Sequence, residues 1–126
     1  MPLLSAPYFA SEWCGREWDA FSRRLATARH GAARTPILPV VWAAPLADER
    51  IPAVARQVQR WAPHDPDLAA RYATHGIFGL LHTDAASYEA VVWFLAMDIA
   101  RAVYESATTP LISRPRDLRN VFAERP

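Results

Sequence analysis

The apolar run from Thr35 to Ala43 constrains the fold more than any other feature of the sequence. It reads Thr-Pro-Ile-Leu-Pro-Val-Val-Trp-Ala, and its apolar residues do not alternate with polar ones. This pattern is typical of a strand that is covered on both faces, as in a parallel sheet. Pro39 has no N–H to give to a neighbouring strand. We therefore predict that the strand lies at an edge or that its pairing is interrupted at Pro39.

Helical periods flank this strand on both sides. A first helix is predicted from Ser11, as its N-cap, to about Ala28, and a last helix over about 88–106 with Ser87 or Asp84 as its N-cap. The apolar stripe of the first helix consists of Cys14, Trp18, Phe21 and Leu25. The stripe of the last helix consists of Tyr88, Val92, Leu95, Ile99 and Val103. We expect both stripes to face the core.

The segments between these helices complete an alternating order. Residues 53–61 and 68–75 are predicted to form short helices, the second ended by Gly76, and the apolar run Ile77–Leu81 is a second strand candidate. The order helix, strand, helix, strand, helix predicts a layered α/β fold with a parallel sheet. Residues 1–106 are expected to form this domain. Residues 107–126, with several prolines and charges, are expected to form a loosely ordered tail.

Composition excludes several classes of function. The formal charge is only +1, from 14 basic and 13 acidic residues, which gives no reason to expect nucleic acid or a membrane as a partner. All the basic residues are arginine, so a Schiff-base or phosphate-loop lysine is excluded. Cys14 is the only cysteine, and no signal peptide or membrane-length apolar run is evident, which predicts a cytoplasmic protein. The four histidines show no metal-ligand spacing, so no metal site is predicted.

One segment near the amino end combines two serines, aromatic residues, a cysteine and a glutamate. It reads Ser5-Ala-Pro-Tyr8-Phe-Ala-Ser11-Glu-Trp13-Cys-Gly-Arg-Glu17-Trp. It resembles the second conserved box of TIR domains, and the run from Ile37 to Trp42 resembles the TIR strand that follows. The form of the box is most similar to the TIR-like family called FxsC, found beside FxSxx-COOH peptide-modification genes. The resemblance covers about residues 3–105.

The resemblance implies a catalytic role for Glu17, because the glutamate of this box cleaves NAD at the nicotinamide–ribose bond in enzymatic TIR domains. NAD would then be a substrate, and no cofactor is implied. Ser5, Tyr8, Ser11 and Trp13 would line the substrate opening. Independently of the family, helical geometry places Glu17 about 60° from the centre of the apolar stripe, at the border of the core. A carboxylate there can stabilise an oxocarbenium-like transition state, although a glutamate early in a helix more often compensates the helix dipole.

The resemblance also implies a truncated flavodoxin-like, three-layer TIR fold with a short parallel sheet. The family's first box would lie upstream of Met1, because the chain opens about where the third TIR strand would end. A signalling or defence role through TIR–TIR assembly or self-association, with NAD hydrolysis in the complete form, is the first hypothesis. The alternative is a non-catalytic interaction module or inactive fragment associated with FxSxx-COOH peptide maturation. A third hypothesis is a helical domain unrelated to TIR, in which both strand candidates are loops.

Overall fold

The computed structural model describes residues 1–27, 37–105 and 115–123. Over these ranges the chain is a mostly helical α/β protein with a two-stranded parallel sheet and five helices. In chain order the elements are β1 (Leu3–Leu4), α1 (Ala6–Ala10), α2 (Glu12–Thr27), β2 (Val40–Val41), α3 (Ala53–Arg56), α4 (Pro66–Thr83) and α5 (Ala85–Glu105). Short 3-10 turns cover Asp48–Arg50 and Pro115–Asp117. The predicted end of the first helix, about Ala28, and the first residues of the predicted strand, Thr35 and Pro36, lie outside the described residues.

The sheet pairs the beginning of the chain with the apolar run. Leu3 lies opposite Val40 and Leu4 opposite Val41 in parallel register. The N–H of Val40 donates to the carbonyl of Pro2 at 2.9 Å. The N–H groups of Val40 and Trp42 face β1, so position 39 faces away from β1, where no further strand needs its N–H within the described residues; β2 is thus an edge strand, as Pro39 predicted. The Pro39 carbonyl instead accepts the N–H of Trp61 at 2.8 Å, which ties the segment before α4 to the strand.

The short helix α1 directly follows β1. Ser5 lies in extended conformation, and its hydroxyl accepts the N–H of Tyr8 at 3.3 Å, so it caps α1. Pro7 lies in the first turn, where its missing N–H costs nothing. Ser11 interrupts the helical path after α1, and its hydroxyl accepts the N–H of Cys14 at 3.3 Å. The predicted Ser11 cap of the second helix is therefore confirmed.

Two clusters of buried residues form the core. The first cluster contains Leu4, Phe9, Trp18, Ile51, Ala55 and Val121. The second cluster contains Val40, Val41, Trp61, Leu68, Tyr72, Ile77, Leu80, Val91 and Leu95. The sheet joins the two clusters, because β1 contributes to the first and β2 to the second. Leu46 packs against both.

The segment 115–123 differs from the loosely ordered tail that we expected. Val121 is buried, and the ring of Phe122 lies within 6 Å of the rings of Phe9 (5.3 Å) and Trp18 (5.8 Å). The backbone N–H of Arg119 donates to the Asp19 carboxylate at 2.9 Å. The apolar side chains of this short segment follow neither a helix nor a strand period, so the sequence alone did not reveal this packing.

The Asp19 carboxylate makes the stability of the protein depend on acid pH. Burial alone raises the pKa of Asp19, but the Arg119 N–H and the Arg23 guanidinium outweigh burial and hold this pKa below its ordinary value. A depressed pKa contributes stability that is complete above the unfolded value, about 4, and is lost as the pH falls through the folded value. We expect Asp19→Asn to cost about 1–3 kcal/mol at neutral pH. We also expect it to flatten the loss of stability below about pH 4. Urea unfolding at several pH values measures both effects.

The exposed Glu49→Gln variant is the control, and it should leave the pH profile unchanged. If Asp19→Asn lost stability below about pH 4 as steeply as the wild type does, Asp19 would not be the group responsible for the acid dependence.

The prediction of a strand at Ile77–Leu81 is wrong, because the run lies within α4. Ile77 and Leu80 are buried while Phe78 and Leu81 are exposed, which is the spacing of a helix face and not of a strand. Short apolar runs are ambiguous between the two states. Gly76 does interrupt the helix, with φ 65° and ψ 176°, and the chain resumes helical geometry after it.

The last helix packs part of the predicted stripe on the core: Leu95 is buried and Tyr88 and Ile99 pack against the second cluster, whereas Val92 and Val103 are exposed. Asp84 is its N-cap, since its carboxylate accepts the N–H of Ser87 at 3.1 Å. Ser87, Val91 and Leu95 are the buried residues of α5, whereas Val92 of the predicted stripe is 39 % exposed. The buried Ser87 hydroxyl donates to Asp84 at 2.6 Å. The sequence pattern did not show that Ser87 and Val91 would be buried beside this stripe.

Candidate functional site

The amino-terminal box lies at the carboxyl edge of the sheet. Ser5 directly follows β1, and the N–H groups of Trp42 and Ala43, which directly follow β2, both approach the Leu4 carbonyl, at 2.9 and 3.4 Å. The hydroxyls of Ser5 and Ser11 accept first-turn N–H groups of α1 and α2. Both serines therefore fix the helix geometry of the box, while their predicted role in lining a substrate opening stays a prediction.

Tyr8 and Glu17 lie close enough to interact electrostatically. Burial raises the pKa of the Tyr8 hydroxyl, and the negative charges of Cys14 and Glu17 raise this pKa further. Tyr8 is half-buried and packs edge-on against Phe9, with ring centroids 5.5 Å apart. The Tyr8 phenol is therefore neutral at physiological pH and is a hydrogen-bond donor beside two acidic groups.

The Glu17 carboxylate is exposed and has no hydrogen bond or ion pair within the part of the chain that the structure describes. Trp13, one helical turn earlier, is 67 % exposed. The guanidinium of Arg16 lies over the Trp13 ring, 5.4 Å from its centroid, and also forms an ion pair with Glu12. Glu17 thus acts on Tyr8 only through its charge, whereas Trp13 lies against its own helix neighbour.

Two cavities of about 390 Å³ each are described, and both lie elsewhere. One is lined by residues of the range 41–73 and the other by residues of the range 65–94. Neither is lined by Glu17 or by any other residue of the box. A pocket that holds a dinucleotide needs walls on several sides of the reacting bond. Neither cavity therefore supports the catalytic role of Glu17, which stays a prediction.

The outer face of α5 exposes several large apolar side chains, which sequence reasoning missed. Trp93 is 66 % exposed, Met97 49 % and Tyr104 94 %. We call this surface the outer α5 face; it consists of Val92, Trp93, Ala96, Met97, Ala100, Val103 and Tyr104. The sequence contained the signal, because α5 is apolar on nearly all sides, and such a helix must cover a second face as well as the core.

Charged side chains are sparse around the outer α5 face. Glu89 lies at its amino end and Arg101 at one border, where the guanidinium lies 3.6 Å from the Asp98 carboxylate. Asp98 also accepts the indole N–H of Trp61 at 2.8 Å, on the inner side of the helix. Asp98 therefore anchors α5 to the core and leaves the outer face free of charge over about four turns.

The described residues form neither a membrane-spanning helix nor a group of metal ligands. No described helix is long and apolar enough to span a lipid bilayer. Within residues 1–27, 37–105 and 115–123, no three side chains of the His, Cys, Asp and Glu types are grouped so that they could hold a metal ion.

Comparison with known proteins gives no relative. The chain matches no family model, no curated protein and no solved structure.

Proposed function

We propose that this chain is a protein-interaction module that works by self-association through the outer α5 face. The observation that carries the proposal is the exposure of Trp93, Met97 and Tyr104 on one side of a helix that is anchored to the core on its other side. Soluble monomers rarely expose a contiguous apolar patch larger than a few hundred Å². A second copy is the occupant we favour, because a twofold axis sets this uncharged stripe against itself without burying a charge.

The area of the face suits a dimer. An aromatic side chain carries about 150–250 Å² of surface, so Trp93 and Tyr104 together expose on the order of 300 Å². Met97 and Val103, which are 49 % and 68 % exposed, extend the patch along the helix. A standard interface buries about 800 Å² per partner. The outer α5 face therefore supplies a large share of that requirement.

The test is a substitution of Trp93 by arginine. Tryptophans at the centre of an interface often contribute 2 kcal/mol or more, and a twofold axis applies the substitution to both copies. We expect Trp93→Arg to weaken self-association at least about 100-fold. Sedimentation velocity over a wide concentration range measures the change.

Trp13→Arg is the matched control, because Trp13 is 67 % exposed and lies on another helix. It should leave association unchanged. A wild-type chain that stays monomeric up to several hundred micromolar, or a control that dissociates as readily as Trp93→Arg, would overturn the proposal.

The resemblance of the box supports a finer form of this proposal, in which the chain is a TIR-like module with a truncated flavodoxin-like fold and associates with other TIR-like domains. The parallel pairing of β1 with β2 supports it, because the box directly follows β1 and β2 lies within the run Ile37–Trp42. Signalling or defence, or a place beside FxSxx-COOH peptide maturation, would then be the context.

NAD hydrolysis is the second candidate function, and the exposed position of Glu17 on α2, with its charge felt by the Tyr8 phenol, supports it. A neutral phenol beside an exposed carboxylate at the carboxyl edge of a sheet provides a donor and an anion for a ribose and its developing positive charge. If this function holds, Glu17→Gln lowers nicotinamide release from NAD at least about 100-fold. Glu12→Gln, on the same helix, should leave release unchanged. Equal release by the wild type and Glu17→Gln would exclude the enzymatic function.

A further inference from the structure

A cavity of about 390 Å³ opens at the carboxyl end of β2, away from both the box and the outer α5 face. Its walls come from the segment after β2, from the segment before α4 and from α4 itself. They consist of Val41, Ala44, Pro45, Leu46, Asp48, Arg60, Trp61, Ala62, Ala69, Tyr72 and Ala73. Its volume lies within the range of small-molecule sites, about 300–1,000 Å³. Open parallel sheets bind ligands beyond the carboxyl ends of their strands.

Two aromatic rings form the inner wall of the cavity. The rings of Trp61 and Tyr72 meet edge-on, with centroids 5.4 Å apart and planes at 78°, and both residues are buried. The Trp61 indole donates to Asp98 at 2.8 Å, and the Tyr72 hydroxyl accepts the N–H of Val41 at 2.6 Å. Both rings are therefore fixed by the protein before any ligand arrives. Small side chains opposite them leave room for a flat or branched apolar body.

A loosely held cation lies at the same cavity. The Arg60 guanidinium lies 4.0 Å from the Asp48 carboxylate, and their side chains are 46 % and 80 % exposed. An exposed ion pair at that distance contributes little stability, about 0–1 kcal/mol. Arg60 lines the same cavity as Tyr72; burial raises the pKa of Tyr72 to about 12 overall, although the charge of Arg60 acts to lower it. A ligand anion can therefore replace Asp48 on Arg60 at small cost.

We propose that this cavity binds a small monocarboxylic acid with an aromatic or branched apolar body. The body lies against Trp61 and Tyr72, and the carboxylate pairs with Arg60. The single guanidinium matches one carboxylate, which it binds through two parallel N–H groups. This site is independent of self-association.

The experiment titrates 3-phenylpropionate into the full chain and follows the Trp61 indole N–H by NMR. A ligand of this size is expected to bind with a Kd on the order of 10⁻⁴ M. The neutral analogue 3-phenylpropanamide should bind at least about tenfold more weakly, because it cannot pair with Arg60.

Variants separate the two parts of the site. Arg60→Gln should bind acid and amide equally, whereas Asp48→Asn, which frees Arg60, should tighten binding of the acid. Arg50→Gln, in the same turn as Asp48, is the control and should behave as the wild type. Ala73→Leu fills the cavity and should abolish binding of both compounds, and a circular dichroism spectrum checks that it folds.

Three outcomes overturn the proposal. These are absence of any shift of the Trp61 indole up to 10 mM acid, equal binding of acid and amide by the wild type, and unchanged discrimination in Arg60→Gln. The first two outcomes are measured on the wild type, so they test the proposal even if Ala73→Leu does not fold. Trp93→Arg should bind the acid as the wild type does, since its position lies on the opposite side of α5 from Trp61.

Discussion

Replacing Gly76 by alanine is expected to lower the free energy of unfolding by about 3 kcal/mol. Gly76 has φ 65° and ψ 176°, a region of backbone conformation that is essentially limited to glycine. A Cβ at this position would lie 2.8 Å from the Trp42 carbonyl oxygen and 3.0 Å from the carbonyl carbon. These are backbone atoms at the end of β2, so the contact cannot be relieved by a side-chain rotation.

The close approach of Gly76 to Trp42 allows a hydrogen bond between α4 and the end of β2. The N–H of Phe78 donates to the Trp42 carbonyl at 2.8 Å, which fastens the second half of α4 to the chain just beyond the sheet. Alanine would force the two segments apart and weaken this bond as well. Urea unfolding followed by circular dichroism measures the loss.

Gly79→Ala is the matched control for Gly76→Ala. Gly79 has ordinary helical geometry in the same helix, and its added Cβ would meet only the His75 side chain, at 3.0 Å. Better helix propensity, about 1 kcal/mol, opposes that contact, so we expect a net change within about 1 kcal/mol. Equal losses in the two variants would show that the positive φ of Gly76 is not the cause.

Trp18→Ala is expected to cost about 3–5 kcal/mol, the largest effect of a single truncation that we anticipate. Trp18 is 2 % exposed and is among the largest fully buried side chains. It lies at the centre of the first cluster, where its ring contacts that of Phe122 at 5.8 Å between centroids. Removing it opens a cavity between α2 and the segment 115–123. Amide exchange at Arg119 should therefore accelerate together with the loss of global stability.

Trp18→Phe separates volume from polarity at the same position. The Trp18 indole N–H is buried and has no hydrogen-bond partner among the described residues. Phenylalanine removes this unsatisfied donor, which offsets part of the lost packing. We expect Trp18→Phe to cost about 1 kcal/mol or less. Trp13→Ala, which truncates an exposed tryptophan of the same helix, should change stability by less than about 0.5 kcal/mol. A cost for Trp18→Ala as small as that of Trp13→Ala would contradict the assignment of Trp18 to the core.

Local chemistry explains the parts of the fold that the sequence predicted. Pro39 marked β2 as an edge strand, and Ser11 and Asp84 marked helix beginnings through their capping oxygens. Such features depend on one residue and its immediate neighbours. They do not depend on how the rest of the chain folds.

Features that depend on distant contacts were not predictable. The run Ile77–Leu81 is short enough to suit a strand or a helix, and only its packing against the second cluster decides. The buried face of α5 depends on two hydrogen bonds, from the Ser87 hydroxyl to Asp84 and from the Trp61 indole to Asp98. For the candidate site, spacing correctly placed Glu17 outside the core, but whether a pocket forms around it depends on surfaces that spacing does not describe.

The bond between Asp19 and Arg119 spans 100 positions of the chain. During synthesis on the ribosome, α4 and α5 emerge one after the other and can pair at once, whereas the first cluster waits for Val121 and Phe122. Until then, Phe9 and Trp18 lack the side chains of Val121 and Phe122 that complete their cluster. We therefore expect this half, and not the α4–α5 hairpin, to be what chaperones engage in the cell.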